Sequence, residues 1–189
     1  SRCRLMLKVD TLYGQIDADL FQRFKAIELL VCDVDGVFSD GTIFLGNQGE
    51  ELKAFNTKDG YGIKALVKIG VKVAVITGRQ SSIVEQRMTA LNVDHIMQNR
   101  EDKLTAINEL ITEFGYTNAT IASIGDDMPD LGMFGASAIG IAVADAHPFV
   151  KKQATFCTTL PGGHGAVREI CDIILQAKGK LFDIHGASV

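Results

Sequence analysis

An α/β fold, Rossmann-like, with a mainly parallel sheet, helices on both faces and a protruding β-hairpin, is what this 189-residue sequence predicts. Three observations carry that expectation. Short apolar runs alternate with amphipathic stretches of helical length along most of the chain. Several runs, Leu29-Leu30-Val31-Cys32 among them, are apolar throughout, as strands covered on both faces must be. Asp, Thr and Gly follow the runs directly, and in open parallel sheets the ligand site lies outside the carboxyl ends of the strands.

Taken in order, Leu20, Phe21 and Phe24 share one helical face and predict a helix over 16–26. A strand over 27–32 runs into Asp33, and a β-hairpin over 38–55 turns around Gly46-Asn47-Gln48-Gly49. A helix over 59–69, a strand over 71–76 and a helix over 81–91, capped by Ser81 or Ser82, follow. Next come a short strand over 95–97 and an amphipathic helix over 102–114 closed by Gly115. Strands over 120–124, 138–143 and 155–158 lead to a closing helix over 166–177 and a tail over 179–189.

The length suits one domain spanning 1–189. With 47% hydrophobic and 22% charged residues, the composition is that of a soluble globular protein. The net charge is −4 and no Lys/Arg run or aromatic-basic stripe occurs, which argues against a nucleic-acid partner. No run is long enough for a membrane span and no signal peptide is visible. The four cysteines, Cys3, Cys32, Cys157 and Cys171, form no CxxC pair, so a reducing, cytoplasmic setting is expected.

Four elements carry chemistry. Asp33 and Asp35 stand two residues apart just past a buried strand, where they repel each other and lose solvation unless a cation or substrate joins them. Thr77-Gly78 after the next strand offers hydroxyl and backbone donors to a phosphate oxygen. Lys103 near a helix start can neutralise phosphate charge. Gly125-Asp126-Asp127, with Asp130 close behind, crowds acids at another strand end, as a hard dication such as Mg²⁺ requires. Singly, each also fits a capped turn or a solvated helix end.

Together and in this order they resemble the haloacid-dehalogenase-like hydrolases. The resemblance sharpens at Leu30 to Val37, Asn56-Thr57-Lys58-Asp59-Gly60-Tyr61-Gly62, Ile76-Thr77-Gly78-Arg79, Val143 to Pro148 and Gly162 to Glu169. These segments are similar to the 3-deoxy-D-manno-octulosonate 8-phosphate phosphatase family, with two departures: His164 stands where Arg is expected, and Lys58 where Arg is common. The resemblance implies a phosphatase that makes Asp33 the nucleophile and Asp35 the general acid and base. It implies Mg²⁺ held by Asp33, the backbone carbonyl of Asp35 and Asp126, with Thr77 and Lys103 on the phosphoryl oxygens. The sugar-acid pocket maps onto Asn56, Thr57, Lys58, Asp59 and Gly60, with Lys64, Gly78, Arg79 and Arg87 around it. A product feeding lipopolysaccharide synthesis is implied as well.

The gaps between the motifs are too short for an independent cap, so a capless domain is expected. Thr42-Ile43-Phe44-Leu45 is apolar on both faces, which implies that the hairpin is covered, by another copy of the chain or by its own helices. The family resemblance implies a homotetramer whose neighbours complete the pocket, with the tail reaching towards it. Two rivals remain at this level. One is a phosphatase for another sugar acid phosphate such as N-acylneuraminate 9-phosphate. The other is a phospho-accepting receiver-like switch, whose acceptor Asp stands apart from its acidic pair.

Overall fold

The structure, a computed structural model, describes residues 7–183, so Cys3, His185 and the end of the expected tail lie outside the described residues. The first element is an antiparallel hairpin, β1 (Lys8–Thr11) with β2 (Gly14–Asp17). It corrects the helix expected from residue 16, because α1 spans Ala18–Lys25 and Ile16 pairs with Val9 in the hairpin. The helical face of Leu20 and Phe24 is buried as expected. The strand before it is four residues long with one buried side chain, too short for its alternation to stand out.

β3 (Leu29–Cys32) is followed by a small hairpin, β4 (Phe44–Leu45) with β5 (Glu51–Leu52), and then by β6 (Lys72–Ile76), β7 (His95–Met97), β8 (Ile121–Gly125), β9 (Ile139–Ala142) and β10 (Phe156–Cys157). β3 and β6 to β10 form one sheet in the order β10-β9-β8-β3-β6-β7 with every pairing parallel. The other helices are α2 (Thr57–Lys68), α3 (Ser82–Ala90), α4 (Lys103–Phe114), α5 (Leu131–Gly135), α6 (Pro148–Gln153) and α7 (Ala166–Ala177). α6 was expected at most as a helix start at His147-Pro148, and α5 was not expected.

Alternate strand residues feed two cores. Leu30 and Cys32 pack with Val73, Val75 and Ile124 against Phe24 of α1, Ile63 of α2, Met88 of α3 and Ile170 of α7. Leu29 and Val31 pack with Ala74 and Ile76 against Ile107 and Leu110 of α4 and Met133 of α5. Both faces of β3 are thus dry, which is why its sequence is apolar without alternation. Removing the fully buried Phe24 ring to Ala removes about 3–5 kcal/mol by cavity formation.

The helix caps follow the sequence. Ser81 accepts from the Ile83 amide, Asp102 from the Thr105 amide, and Gly115 closes α4 at a φ of 73°. The hairpin expected over 38–55 is much shorter. Phe38 lies in the core, within a tight turn in which its amide donates to the Val34 carbonyl. The turn falls where expected, with the Gly46 amide donating to the Glu50 carbonyl. Phe44, Leu45 and Leu52 are 58%, 73% and 66% exposed, so helices of the same chain do not cover them.

Candidate active site

β3 lies between β6 and β8, and the strand order reverses there, β6 and β7 running to one side and β8, β9 and β10 to the other. Such a reversal opens a crevice at the carboxyl ends of the central strands. Asp33 and Asp35 follow β3, Thr77 follows β6, and Asp126 follows β8. The Asp33 amide donates to the Ile124 carbonyl, extending the β3–β8 ladder by one bond and fixing Asp33 at the tip. A cavity of about 280 Å³ opens there, lined by Asp33, Asp35, Gly41, Lys103, Asp126, Asp127, Pro129 and Asp130.

The glycine after Asp35 is required. Gly36 has a φ of 89°, and a side-chain carbon on it would run into the Asp126 carboxylate. Gly162 packs against the Gly36 carbonyl in the same way, and the Gly163 amide donates to the Val37 carbonyl at 2.9 Å. The glycine-rich loop before α7 therefore clamps the loop that carries Asp35.

Lys103, the first residue of α4, is 5% exposed and reaches the tips of β3 and β8 at once. Its Nζ lies 2.8 Å from Asp33 Oδ1 and 2.6 Å from Asp130 Oδ1. Asp130 Oδ2 accepts from the amides of Asp126 and Asp127, at 2.9 and 3.2 Å. Asp130 thus orients both the lysine and the acidic turn, whereas Asp127 accepts from the Met128 amide and lines the cavity.

The electrostatics are those of a site made for a cation. Carboxylate oxygens of Asp33, Asp126 and Asp130 come within 4.8 Å of one another. Burial, and then the charge of Asp130, push the Asp33 carboxyl up to about 6 despite Lys103. Burial, and then the charge of Asp33, push Asp126 up to about 9. Three acids facing one lysine leave uncompensated negative charge, and an oxygen-rich pocket of this kind fits Mg²⁺.

The residues singled out from the sequence fall into two groups. Asp33, Asp35, Lys103 and Asp126 share the cavity. Thr77 is buried beside it, its hydroxyl accepting from the Arg79 amide at 3.4 Å, and does not line it. Gly78 joins Thr77 to Arg79, whose guanidinium is 3.0 Å from Glu51 and 3.9 Å from Asp35 Oδ2. The second group surrounds the start of α2 and does not line the cavity of a single chain. Asn56 caps α2 through the Lys58 amide and donates to the Gly163 carbonyl. Thr57 and Lys58 are exposed, Gly60 is buried, and Lys64 is half-buried on the same helix. Asp59 is 1% exposed; one oxygen accepts from the Arg168 amide at 2.9 Å and the other has no hydrogen-bond partner among the described residues. Arg87 on α3 is half-buried, and its charge acts on Asp59.

His164 is exposed, 3.7 Å from Asp40. His95 bonds Tyr116 and packs on Phe114, the packing role expected of it. Sequence reasoning missed Lys53 and Glu51. Lys53 Nζ lies 2.6 Å from Asp35 Oδ1, and nothing in a charged hairpin strand marks it as different from a solvated lysine.

This fold and these acidic strand tips define a haloacid-dehalogenase-like hydrolase. A family model described as a haloacid dehalogenase-like hydrolase matches residues 92–170. The 3-deoxy-D-manno-octulosonate 8-phosphate phosphatase of Yersinia pestis is 47% identical over 96% of this chain and 97% of its own length. The crystal structure of the Yersinia pestis phosphatase superposes with a TM-score of 0.94 at 46% identity, covering 97% of this chain and all of that one. The Moraxella catarrhalis phosphatase, solved with a magnesium ion, a phosphate ion and KDO, superposes with a TM-score of 0.84 at 40% identity, covering 86% of this chain and 94% of that one. The chain belongs to the 3-deoxy-D-manno-octulosonate 8-phosphate phosphatase family. The receiver-like alternative is thereby set aside.

Proposed function

We propose that the chain hydrolyses 3-deoxy-D-manno-octulosonate 8-phosphate, with Mg²⁺, through an aspartyl phosphate on Asp33. The observation that carries this reading is the meeting of the Asp33 and Asp126 carboxylates with Lys103 at adjacent strand tips. The names of the relatives support the substrate, and the magnesium and phosphate in the Moraxella catarrhalis phosphatase support the metal.

Asp33, the backbone carbonyl of Asp35 and Asp126 would hold Mg²⁺. When bound, the ion offsets the repulsion between the carboxylates and the phosphoryl oxygens. A carboxylate oxygen of Asp33 attacks phosphorus as the bond to the sugar oxygen breaks, and the proton of Asp35 passes to that oxygen. In the second half, water attacks the same phosphorus. Its proton goes to Asp35, the bond to Asp33 breaks, and inorganic phosphate leaves. Lys103 and Thr77 hold the remaining phosphoryl oxygens, and positioning supplies much of the rate.

Asn56 to Gly60, Lys64, Gly78, Arg79 and Arg87 form the sugar-acid pocket in this reading. None of them lines the cavity of one chain, and a neighbouring copy is proposed to bring the pocket together. The exposed Phe44, Leu45 and Leu52 supply an apolar contact for that copy, and a homotetramer is the assembly proposed. The whole chain is then one catalytic domain. Among the described residues no helix is long and apolar enough to cross a membrane, and a cytoplasmic location is proposed with a role in lipopolysaccharide synthesis. A panel of sugar phosphates that includes N-acylneuraminate 9-phosphate, assayed with Mg²⁺ for released phosphate, tests the reading. The eight-carbon acid should give the highest kcat/KM, and a better substrate elsewhere in the panel overturns it.

A further inference from the structure

We infer that Lys53 is a positioning residue for the proton-transferring carboxyl of Asp35. The inference rests on the proposed role of Asp35 and adds a residue that sequence reasoning passed over. Lys53 directly follows β5, so the small hairpin sets where its side chain goes. That side chain has no exposed surface, whereas Asp35 keeps 20% of its own. Lys53 therefore touches the carboxyl and not the substrate. Its Nζ lies 2.6 Å from Asp35 Oδ1 and 3.6 Å from Glu51 Oε1.

A buried ammonium persists only where its charge is matched. With Asp35 ionised, as it is before it takes the proton of water, Asp35 and Glu51 match Lys53 and Arg79 and the four groups sum to zero; when Asp35 carries the proton it donates, Glu51 still faces both cations. Each oxygen of Asp35 faces a different cation, Oδ1 facing Lys53 and Oδ2 facing Arg79 at 3.9 Å. Arg79 is half exposed and also belongs to the proposed sugar-acid pocket. When a substrate engages Arg79, the buried Lys53 is the contact it cannot compete for. Lys53 then holds the Asp35 carboxyl in place for both proton transfers, to the sugar oxygen as the P–O bond breaks and from water as the aspartyl phosphate opens. A misplacement of about 1 Å in such a group costs on the order of 10²-fold in rate.

The test compares leaving groups. An alkyl phosphate needs a proton on its departing oxygen, whereas p-nitrophenyl phosphate releases a stable phenolate without one. Full-length wild-type protein, Lys53→Met, Lys53→Arg and Asp35→Asn are assayed on both esters with Mg²⁺. Lys53→Met should lower the ratio of single-turnover rates of leaving-group release, alkyl over aryl, by on the order of 10-fold or more, with KM for the alkyl ester changed by less than about threefold; opening of the aspartyl phosphate, common to both esters, does not enter that ratio. Lys53→Arg should restore part of that ratio. The ratio is internal to each preparation, so a partly folded sample still reads it. If Lys53→Met does not fold, Lys53→Arg and Lys53→Gln serve, the glutamine variant falling furthest. An equal loss on both esters, or none, overturns the inference when Asp35→Asn does show the split. If Asp35→Asn also lacks it, the acid role of Asp35 falls, and the inference with it.

Discussion

At the scale of single residues, burial decides what each carboxyl does. Asp35 keeps contact with solvent and with two cations. Asp59 is buried under α7 with one oxygen unpaired, and burial outweighs the Arg168 amide to push its carboxyl up to about 6. A group with a raised folded pKa stabilises the fold while it is protonated in the native state, and that contribution disappears as pH rises through the folded value. The window for Asp59 therefore runs from about 4 to about 6. Asp59→Asn, which has no proton to lose, is expected to gain on the wild type over this window by on the order of 2–3 kcal/mol. Denaturant melts at pH 4 and pH 8 measure it, and a constant difference between the two proteins would contradict the assignment. None of this was legible beforehand. Asp59 sits in a motif that reads as a substrate loop, and Arg168, whose amide donates to it, is 109 positions away. Asp33, by contrast, stands at the end of an uninterrupted apolar run and Asp126 at the end of a largely apolar one, where an acid is conspicuous.

At the scale of elements, legibility followed the period of the pattern. β3, β6 and β8 were readable because each is a largely apolar run between turns, and α4 and α7 because their apolar faces repeat over several turns. β1 and β2 were lost to the helical spacing that follows them, and α5 and α6, at five and six residues, are too short to show a period. The hairpin of β4 and β5 was found by its turn and overestimated in length, because the apolar residues after Val37 read as strand while Phe38 belongs to the core. Its exposed Leu45 and Leu52 give a direct test of assembly. Replacing both by Lys removes apolar area that is mostly exposed. The double variant is expected to keep its circular dichroism, to fall to a smaller species in light scattering, and to raise KM on the order of 10-fold or more as the shared pocket is lost. A wild-type mass for the double variant, or a small species with unchanged kcat/KM, would remove the hairpin from the interface.

At the scale of the molecule, the parallel sheet brings together acids that are far apart in sequence and makes their repulsion a property of the whole fold. Without a dication, Asp33 at about 6 and Asp126 at about 9 are costly to ionise. Their stabilising protons are lost as pH rises, so the metal-free protein should weaken from about pH 4 to about pH 9. Mg²⁺ at about 100 times its dissociation constant adds about 2.7 kcal/mol, which for a chain of this size is a rise in Tm of about 5–10 °C. Thermal melts with Mg²⁺ and with a chelator are expected to differ most near pH 8 and least near pH 5, where protons replace the ion. The same gap at both values would mean that the acidic cluster is not where the metal binds.

The nucleophile itself is reached most directly by trapping. Turnover with Mg²⁺ is quenched with borohydride, which reduces an acyl phosphate to the alcohol, and the peptide carrying Asp33 is read by mass spectrometry. Homoserine at position 33, formed only with substrate and metal together and absent in an inactive Asp33→Asn variant, is the expected result. An unmodified Asp33 during full turnover, or an Asp33→Asn variant that hydrolyses phosphate at the wild-type rate, would contradict it.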